Sequence, residues 1–292
     1  MSGSESSQAS VDGASAVAPP ASASERRALL ATSVAAVVKG AEEVRAYASR
    51  LDTLRWEEKS RADFVSDADR ASERAIREIV HGRHGDAAIL GEELSPEIAH
   101  ERMSRGLVFV ADPLDGTTNF LHGFPWYAVS VAALVDGVLA AGAILNLPTG
   151  ELFTAVAAGG ARRNGQPIGV SRIADPLRAL VGTGFPFKLG QQQHEYLAGF
   201  ATVSRHVAGI RRPGSAALDL ADVACGRFDA FWELSLAPWD IAAGILLVRE
   251  AGGIVTTIDG SPAPVAQTSI VAGNPVMHSW LLERLHEPRN EE

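Results

Sequence analysis

Cysteine is almost absent from this chain: Cys225 is the one cysteine in 292 residues. A disulfide within the chain is therefore impossible, and such sparse use of cysteine favours a reducing, cytoplasmic location. Long apolar runs are missing as well, and none approaches the roughly 20 residues that a membrane-spanning helix needs. The net charge of −9 argues against nucleic acid or an anionic membrane as the main partner. A bound cation could still attract a phosphorylated substrate.

The chain does contain enough apolar sequence for a core. Apolar residues make up 46% of it, and its length suits one large unit or two closely packed ones. Residues 1–22 are rich in Ser, Ala, Gly and Pro and lack the basic and apolar segments of a signal peptide, so we expect a disordered tail. We expect residues 23–290 to form one unit, with an α+β half at residues 23–175 and an α/β half at residues 176–290.

Two amphipathic helices are predicted in the first half. A capping-box sequence at residues 22–25 is followed by apolar residues at steps of three and four as far as Leu51. Residues 54–65 are charged and irregular, which indicates a loop or a short hairpin. Ser66 then opens a second helix, with Asp69 in its first turn. An acid at that position usually serves only the helix dipole, so Asp69 alone would indicate no function.

The sequence is organised around residues 107–120, Leu-Val-Phe-Val-Ala-Asp-Pro-Leu-Asp-Gly-Thr-Thr-Asn-Phe. The first five residues predict a buried strand, which we expect to end before Asp112 because Pro113 cannot continue it regularly. Gly116 permits a tight turn, and the polar residues after it can begin a helix. Two carboxylates and the Leu114 carbonyl thus lie beside backbone N–H groups, a combination that suits Mg²⁺ and phosphate. For any single residue here, a capped turn without further function is an equal alternative.

Turn signals separate two kinds of sheet. Asp136-Gly137, Pro148–Gly150 and Asn164-Gly165 mark three successive turns, which predict an antiparallel meander. The second half alternates strands and helices, with Glu233 expected at the end of a strand over residues 228–232. Together these patterns predict an α/β or α+β layered fold.

Six acidic residues fall at predicted strand ends or helix starts. They are Asp69, Glu92, Asp112, Asp115, Glu233 and Asp240. Each could be structural on its own. Acids that converge in a pocket of low dielectric repel one another, so either these acids are dispersed or divalent cations lie between them.

Four stretches resemble signatures of the inositol monophosphatase family, in its order and at its separations. They are Gly91-Glu-Glu93, Asp112-Pro-Leu-Asp-Gly-Thr-Thr-Asn-Phe120, Gly214-Ser-Ala-Ala217 and Pro238-Trp-Asp-Ile-Ala-Ala-Gly244. Gly182-Thr-Gly-Phe-Pro-Phe-Lys188 and Arg211-Arg-Pro-Gly-Ser-Ala-Ala217 are similar to its bacterial inositol-1-monophosphatase branch. The resemblance covers residues 30–285 and is specific for the superfamily, but less so for the substrate.

The resemblance implies an αβαβα layered phosphatase fold, a homodimer, inhibition by lithium, and two to three Mg²⁺ ions per site. The implied metal ligands are Glu92, Asp112, the Leu114 carbonyl, Asp115 and Asp240, with Glu92 alone on a weaker third ion. Asp69 and Thr117 would orient the attacking water, so that Asp69, Glu92 and Thr117 are the implied catalytic residues. The implied substrate contacts, on the phosphate and alcohol sides together, are Gly116, Thr117, Thr183, Arg211, Gly214, Ser215, Ala216, Glu233 and Asp240.

The predicted function is that of a Mg²⁺-dependent phosphomonoesterase. It would hydrolyse myo-inositol 1-phosphate, or a related polyol or sugar phosphate, by in-line attack of a metal-activated water. Histidinol phosphate, fructose 1,6-bisphosphate, NADP and 3′-phosphoadenosine 5′-phosphate are alternative substrates for the same fold. Metal ligation disfavours a covalent phosphoenzyme at Asp112 or Asp115. A non-catalytic interaction protein should have lost at least one ligand, and a calcium-binding module should have a contiguous loop of oxygen ligands; the sequence meets neither expectation.

Overall fold

The computed structural model describes residues 21–49, 51, 54–60, 63–97, 100–185 and 192–287. Five predicted segments lie partly outside these residues: the tail (residues 1–20 of it), the first helix (residue 50), the loop or hairpin (residues 61–62), the end of the glycine-containing motif (residues 186–188) and the end of the predicted unit (residues 288–290). Within the described ranges, no helix has both the length and the apolar character needed to cross a membrane.

Two helices and a hairpin open the fold. They are α1 (Ala23–Ala48), β1 (Trp56–Ser60), β2 (Asp63–Ser66) and α2 (Asp67–Arg83). The capping box of α1 is confirmed, because the Ser22 hydroxyl accepts from the Glu25 N–H and the Glu25 carboxylate accepts from the Ser22 N–H. Of the two alternatives for residues 54–65, the antiparallel hairpin is confirmed.

The next part of the chain forms seven strands and two short helices. They are β3 (Ala88–Gly91), α3 (His100–Met103), β4 (Leu107–Asp115), α4 (Thr117–Leu121), β5 (Ala128–Val135), β6 (Val138–Asn146), β7 (Leu152–Val156), β8 (Gly160–Arg163) and β9 (Gln166–Pro167). The strands lie in one sheet in chain order, with β3 and β4 parallel and each later pair antiparallel. The predicted meander is confirmed. At two of its turns Asp136 and Asn164 take the left-handed conformation, with φ of 48° and 49°.

Strand β4 is longer than predicted. It continues through Pro113 to Asp115 instead of ending before Asp112, and its pairing with β5 shifts register between Asp112 and Asp115. Proline has no N–H and therefore interrupts the ladder, but the backbone stays extended and a bulge forms instead of an end. As a result, both carboxylates lie at the C-terminal end of one buried strand.

The second half begins with a 3₁₀ turn at Pro176–Arg178. The elements that follow are β10 (Leu180–Thr183), α5 (Gln192–Ser204), β11 (Gly209–Arg211), α6 (Ala216–Ala224), β12 (Ala230–Leu236), α7 (Pro238–Glu250), β13 (Ile254–Thr256), β14 (Thr268–Gly273) and α8 (Pro275–His286). The strands form a five-stranded sheet in the order β11–β10–β12–β14–β13. Glu233 was predicted at a strand end, but β12 continues past it to Leu236 with a register shift after Glu233.

The elements stack in five layers. Side chains alternate along β4, so that Phe109 packs with α1 and α2 while Val110 packs towards α6 and α7. The other side of α6 and α7 covers the five-stranded sheet, where Phe231 is buried. Trp232 faces the opposite way, towards α5 and α8. Helices, sheet, helices, sheet and helices thus follow one another, and the αβαβα fold is confirmed.

Candidate active site

Asp69 and Thr117 form a hydrogen-bonded pair where α2 and α4 begin. The Thr117 hydroxyl lies 2.9 Å from Asp69 Oδ1 and 3.0 Å from the Leu114 carbonyl, both of which can accept its proton. Asp69 Oδ2 accepts from the Ser66 N–H at 2.8 Å and from the Ser66 hydroxyl at 2.6 Å. Burial, with the Glu92 charge as a smaller contribution, raises the pKa of Asp69 to about 6. Because the Thr117 O–H donates, its oxygen can still accept a hydrogen bond from a water.

One face of α2 contacts both the end of β4 and the loop that carries Glu92. The Ser72 hydroxyl donates to the Pro113 carbonyl at 2.8 Å. Glu73 Oε2 accepts from the Glu93 N–H at 2.7 Å and from the Leu94 N–H at 3.1 Å. Residues 69, 72 and 73 are three and four apart and therefore share this face. The helix thus aligns the end of β4 and the loop that carries Glu92.

Asp115 connects the two halves of the chain. Its Oδ2 accepts from the Ser215 hydroxyl at 2.6 Å and from the Ala217 N–H at 2.7 Å. Ser215 caps α6, and the acceptor on its first turn suits the positive end of that helix. The predicted metal ligand and the predicted substrate contact are therefore brought together.

Asp112 and Asp240 each bind a backbone N–H of their own segment. Asp112 Oδ1 accepts from the Leu114 N–H at 2.9 Å, and Asp240 Oδ2 accepts from the Ala237 N–H at 2.7 Å. The second bond completes the start of α7, where Pro238 occupies the first turn. Each carboxylate thus has one oxygen used by the chain itself.

The acids of β4 and α7 lie close enough to influence one another. Burial first, and then the charges of Glu92, Asp115 and Asp240, raise the pKa of Asp112 well above its usual value. Burial likewise raises the pKa of Asp240, with Asp115 and Glu92 next in effect. The pKa of Asp115 rises only to about 6, because its bonds to Ser215 and Ala217 offset part of the burial. Glu92, Asp115 and Asp240 therefore lie near enough to Asp112 to influence its pKa.

Glu233, which was predicted to contact the alcohol part of the substrate, lies on β12. This half-buried carboxylate has a pKa raised to about 8 by burial and by Asp115, against the lowering effect of Arg212. A Cβ on Gly184 would overlap the Glu233 carboxylate, so glycine is the residue that leaves it room. The Arg212 guanidinium lies 5.6 Å above the Phe185 ring.

Two other predicted contacts point elsewhere in the structure. Thr183 is fully buried, and its hydroxyl is paired with the Tyr196 hydroxyl at 3.1 Å. Arg211 is exposed and donates to the Ile210 carbonyl at 3.0 Å, whereas the neighbouring Arg212 is the arginine that influences Glu233. Their assignment to the substrate therefore stays a prediction.

Comparison with known proteins identifies the family. The model described as the inositol monophosphatase family matches residues 25–290. The chain belongs to this family. The resemblance expected from the motifs is thereby confirmed.

Several known proteins resemble this chain over most of its length. An inositol-1-monophosphatase of Rhizobium meliloti is 44% identical over 264 residues, 90% of this chain and 98% of that protein. The Nus factor SuhB of Pseudomonas aeruginosa is 44% identical over 227 residues, 77% of this chain and 83% of that protein. The solved structure of the extragenic suppressor protein suhB from Bartonella henselae has a TM-score of 0.84 at 38% identity, covering 90% of this chain and 100% of that one. An Anabaena inositol monophosphatase has a TM-score of 0.79 at 34% identity, covering 89% and 96%.

The predicted metal ligands are carboxylate and carbonyl oxygens. Such oxygens are the groups that Mg²⁺, a hard cation, prefers. The described residues nevertheless contain no group of three His, Cys, Asp or Glu arranged to hold a metal ion. Asp112, Asp115 and Asp240 each have one carboxylate oxygen bonded to a donor of the chain. The individual ligand assignments therefore stay predictions.

Sequence reasoning did not single out Ser72, Glu73 or Arg212. Ser72 and Glu73 lie on a helix whose periodicity indicates only that they face inward. A polar side chain on a buried helix face needs a hydrogen-bond partner, and this was the feature that could have indicated them. Arg211 ends the three-residue strand β11, and Arg212 follows it. So short a strand shows no alternation of apolar and polar residues, and the sequence therefore did not indicate which arginine faces the site.

Proposed function

We propose that this protein is a Mg²⁺-dependent phosphomonoesterase that hydrolyses myo-inositol 1-phosphate. The observation that carries the proposal is the pairing of Thr117 with the buried Asp69 beside the mutually interacting acids of β4 and α7. Family membership and the names of relatives such as the Rhizobium inositol-1-monophosphatase support the substrate.

The residues of the chain have distinct roles in this proposal. Glu92, Asp112, the Leu114 carbonyl, Asp115 and Asp240 would hold two to three Mg²⁺ ions, which supply a water of lowered pKa and positive charge beside the phosphate. Asp69 accepts a hydrogen bond from the Thr117 hydroxyl. The Thr117 oxygen is then left to accept a hydrogen bond from the attacking water and so to orient it.

The substrate would lie between the two halves of the chain. The backbone amides of Gly116 and Thr117 would bind the phosphate, and Ser215, Ala216 and Glu233 would face the alcohol. The Glu233 carboxylate can accept hydrogen bonds from hydroxyl groups, which suits a polyol.

The proposal is tested by phosphate release from a substrate panel with Mg²⁺, with and without lithium. The panel contains inositol 1-phosphate, histidinol phosphate, fructose 1,6-bisphosphate, NADP and 3′-phosphoadenosine 5′-phosphate, and Asp112→Asn serves as the inactive control. We expect inositol 1-phosphate to have the highest kcat/KM and lithium to suppress its turnover. Preference for another substrate would keep the phosphatase and overturn the substrate.

Turnover of no substrate would overturn the proposal as a whole. It would favour the non-catalytic alternative, and the Pseudomonas relative named Nus factor SuhB then becomes the more informative comparison.

We also propose a homodimer, in keeping with the resemblance. Sedimentation of the purified protein at the mass of one 30.7 kDa chain would contradict this assembly.

A further inference from the structure

The Asn119 side chain lies where the two halves of the chain meet. Its Nδ2 donates to the Trp126 carbonyl at 2.7 Å and to the Pro213 carbonyl at 2.9 Å, with the Gly214 carbonyl at 3.4 Å. All three neighbours are acceptors, which fits the amide nitrogen at this position. The first half of the chain is thereby tied to the loop that precedes α6.

The backbone is unusually close-packed around this amide. Gly116 and Gly214 both have φ of 92°, a conformation that side chains disfavour. A Cβ on Gly116 would lie 3.0 Å from the Trp126 carbonyl oxygen and 3.3 Å from the Gly214 carbonyl oxygen. A Cβ on Gly214 would lie 3.3 Å from Asn119 Nδ2. The Gly116 turn and the Gly214 loop therefore touch, with Asn119 between them.

The two segments serve different parts of the proposed substrate. The Gly116 turn belongs to the phosphate side, and Gly214 and Ser215 belong to the alcohol side. A second link, from the Ser215 hydroxyl to Asp115 at 2.6 Å, lies beyond the loop and would remain if the Asn119 bonds were lost. Asn119 is thus the contact that fixes residues 213 and 214 relative to the Gly116 turn.

We propose that Asn119 is a positioning residue that sets the space for the alcohol part of the substrate by holding residues 213–214 against the Gly116 turn. This inference rests on the proposed function for its effect on substrate choice, but not for the contact itself. Loss of the amide donor leaves two carbonyls without their partner, so the loop should move away from the turn. The alcohol then loses its contacts, whereas the phosphate keeps those of the Gly116 turn.

Asn119→Asp is the sharpest variant. It keeps the size of the side chain but places a carboxylate oxygen against the Trp126 and Pro213 carbonyls. Asn119→Ala removes the donor without adding charge and is the second variant if the first fails to fold. Thr118→Ala is the matched control, because Thr118 is exposed on the same helix.

Hydrogen exchange tests the contact independently of any activity. In Asn119→Asp we expect faster exchange in peptides covering residues 211–217, with exchange in α1 and β6 unchanged. In Thr118→Ala we expect the wild-type pattern. The proposal would be overturned if Asn119→Asp and Asn119→Ala both exchanged over residues 211–217 at the rate of Thr118→Ala.

Kinetics test the consequence for substrate choice. We expect Asn119→Ala, which adds no charge beside the phosphate, to raise KM for inositol 1-phosphate about tenfold, with KM for p-nitrophenyl phosphate changed by less than about threefold. A structural defect alone would lower activity on both substrates by one factor, and that result would contradict a role in substrate choice. If the wild-type protein does not hydrolyse inositol 1-phosphate, the proposed function fails, and hydrogen exchange still decides whether Asn119 holds the loop.

Discussion

Asp69 combines burial with three hydrogen bonds from Ser66 and Thr117. In Asp69→Asn, the amide would keep the Ser66 bonds with its oxygen but would direct a donor at Thr117. The Thr117 hydroxyl then loses its carboxylate acceptor, so we predict a fall in kcat of about 100-fold or more, which steady-state kinetics on inositol 1-phosphate would measure. The melting temperature should stay within a few °C of wild type, because a buried acid with a raised pKa is replaced by a neutral group.

Asp67→Asn is the matched control for this change, since Asp67 stands in the same helical turn without a bond to Thr117. It should keep wild-type kcat. A kcat of Asp69→Asn above half the wild-type value would show that the Thr117–Asp69 pair has no part in the reaction.

Gly184 offers a test of Glu233 that leaves the fold in place. The atoms that a Cβ at position 184 would overlap are the carboxylate of Glu233, the far end of a flexible side chain. In Gly184→Ala the carboxylate must therefore move, and we predict that KM for inositol 1-phosphate rises about fivefold or more with little change in melting temperature. Gly82→Ala, at a helical site with nothing within 4 Å, is the control and should be slightly more stable. An unchanged KM in Gly184→Ala would argue against a Glu233 contact with the alcohol.

The Asp69–Thr117 pair could be anticipated from the sequence only through the family resemblance, and the bond between Asp115 and Ser215 could not be anticipated. Asp115 stands in a motif and Asp69 was assigned through the family resemblance, and local rules place them at a strand end and a helix start. Their partners Thr117 and Ser215 lie 48 and 100 residues away, so only the folded chain brings them into contact. The same holds for Arg212, whose neighbour Arg211 was the residue that the motif indicated.

At the scale of elements, α2 organises the first half of the site through Glu73. This buried carboxylate holds the loop that carries Glu92 by accepting from Glu93 and Leu94. We predict that Glu73→Ala lowers kcat about tenfold or more and also lowers the melting temperature, since two backbone donors lose their acceptor. Glu73→Gln keeps one oxygen in place and should recover most of the activity.

Kinetics and thermal melting of both variants, with the exposed Glu78→Ala as control on the same helix, would check this role. Equal losses in Glu73→Ala and Glu73→Gln would mean that charge, rather than the hydrogen bonds to the loop, is what matters at this position.

Features that depend on neighbouring residues were predicted well, whereas the ends of two strands were not. The capping box of α1 and the Asp136-Gly137 hairpin follow from neighbouring residues, and both are present. The strand through Pro113 and the continuation of β12 past Glu233 depend on pairing with β5 and β14. A sequence pattern does not show which partner a strand will find, so these ends could not be read from it.

At the scale of the whole molecule, the layered order became predictable only through the family resemblance. Alternation in the sequence indicated α/β or α+β, but the five-stranded sheet has the order β11–β10–β12–β14–β13, which chain order does not give. Burial between layers also explains why several acids have raised pKa values, because each layer adds low-dielectric surroundings. Stability of the molecule should therefore depend on pH.

The direction of that dependence follows from Glu233, whose pKa is raised from 4.5 to about 8, and from Asp219, whose pKa burial raises well above its usual value. A raised folded-state pKa gives stability that is present below the unfolded value and is lost as pH rises through the folded value. His84 and His278, whose pKa values burial lowers, act in the opposite direction, but only below about pH 6.5. Between about pH 7 and 9 the acids therefore decide the sign, and the melting temperature in EDTA should fall.

Partial exposure of Glu233 lets solvent screen this effect, so we expect a fall of only a few °C, at roughly 2–4 °C for each kcal/mol. Thermal melting of wild-type protein and Glu233→Gln across this pH range makes the measurement, and the variant should show a smaller fall because its side chain cannot ionise. Glu283→Gln, on α8, is the control and should follow wild type. A melting temperature that rises with pH in the wild-type protein would mean that folding does not raise the pKa values of these acids. The raised pKa values described for the site would then be wrong.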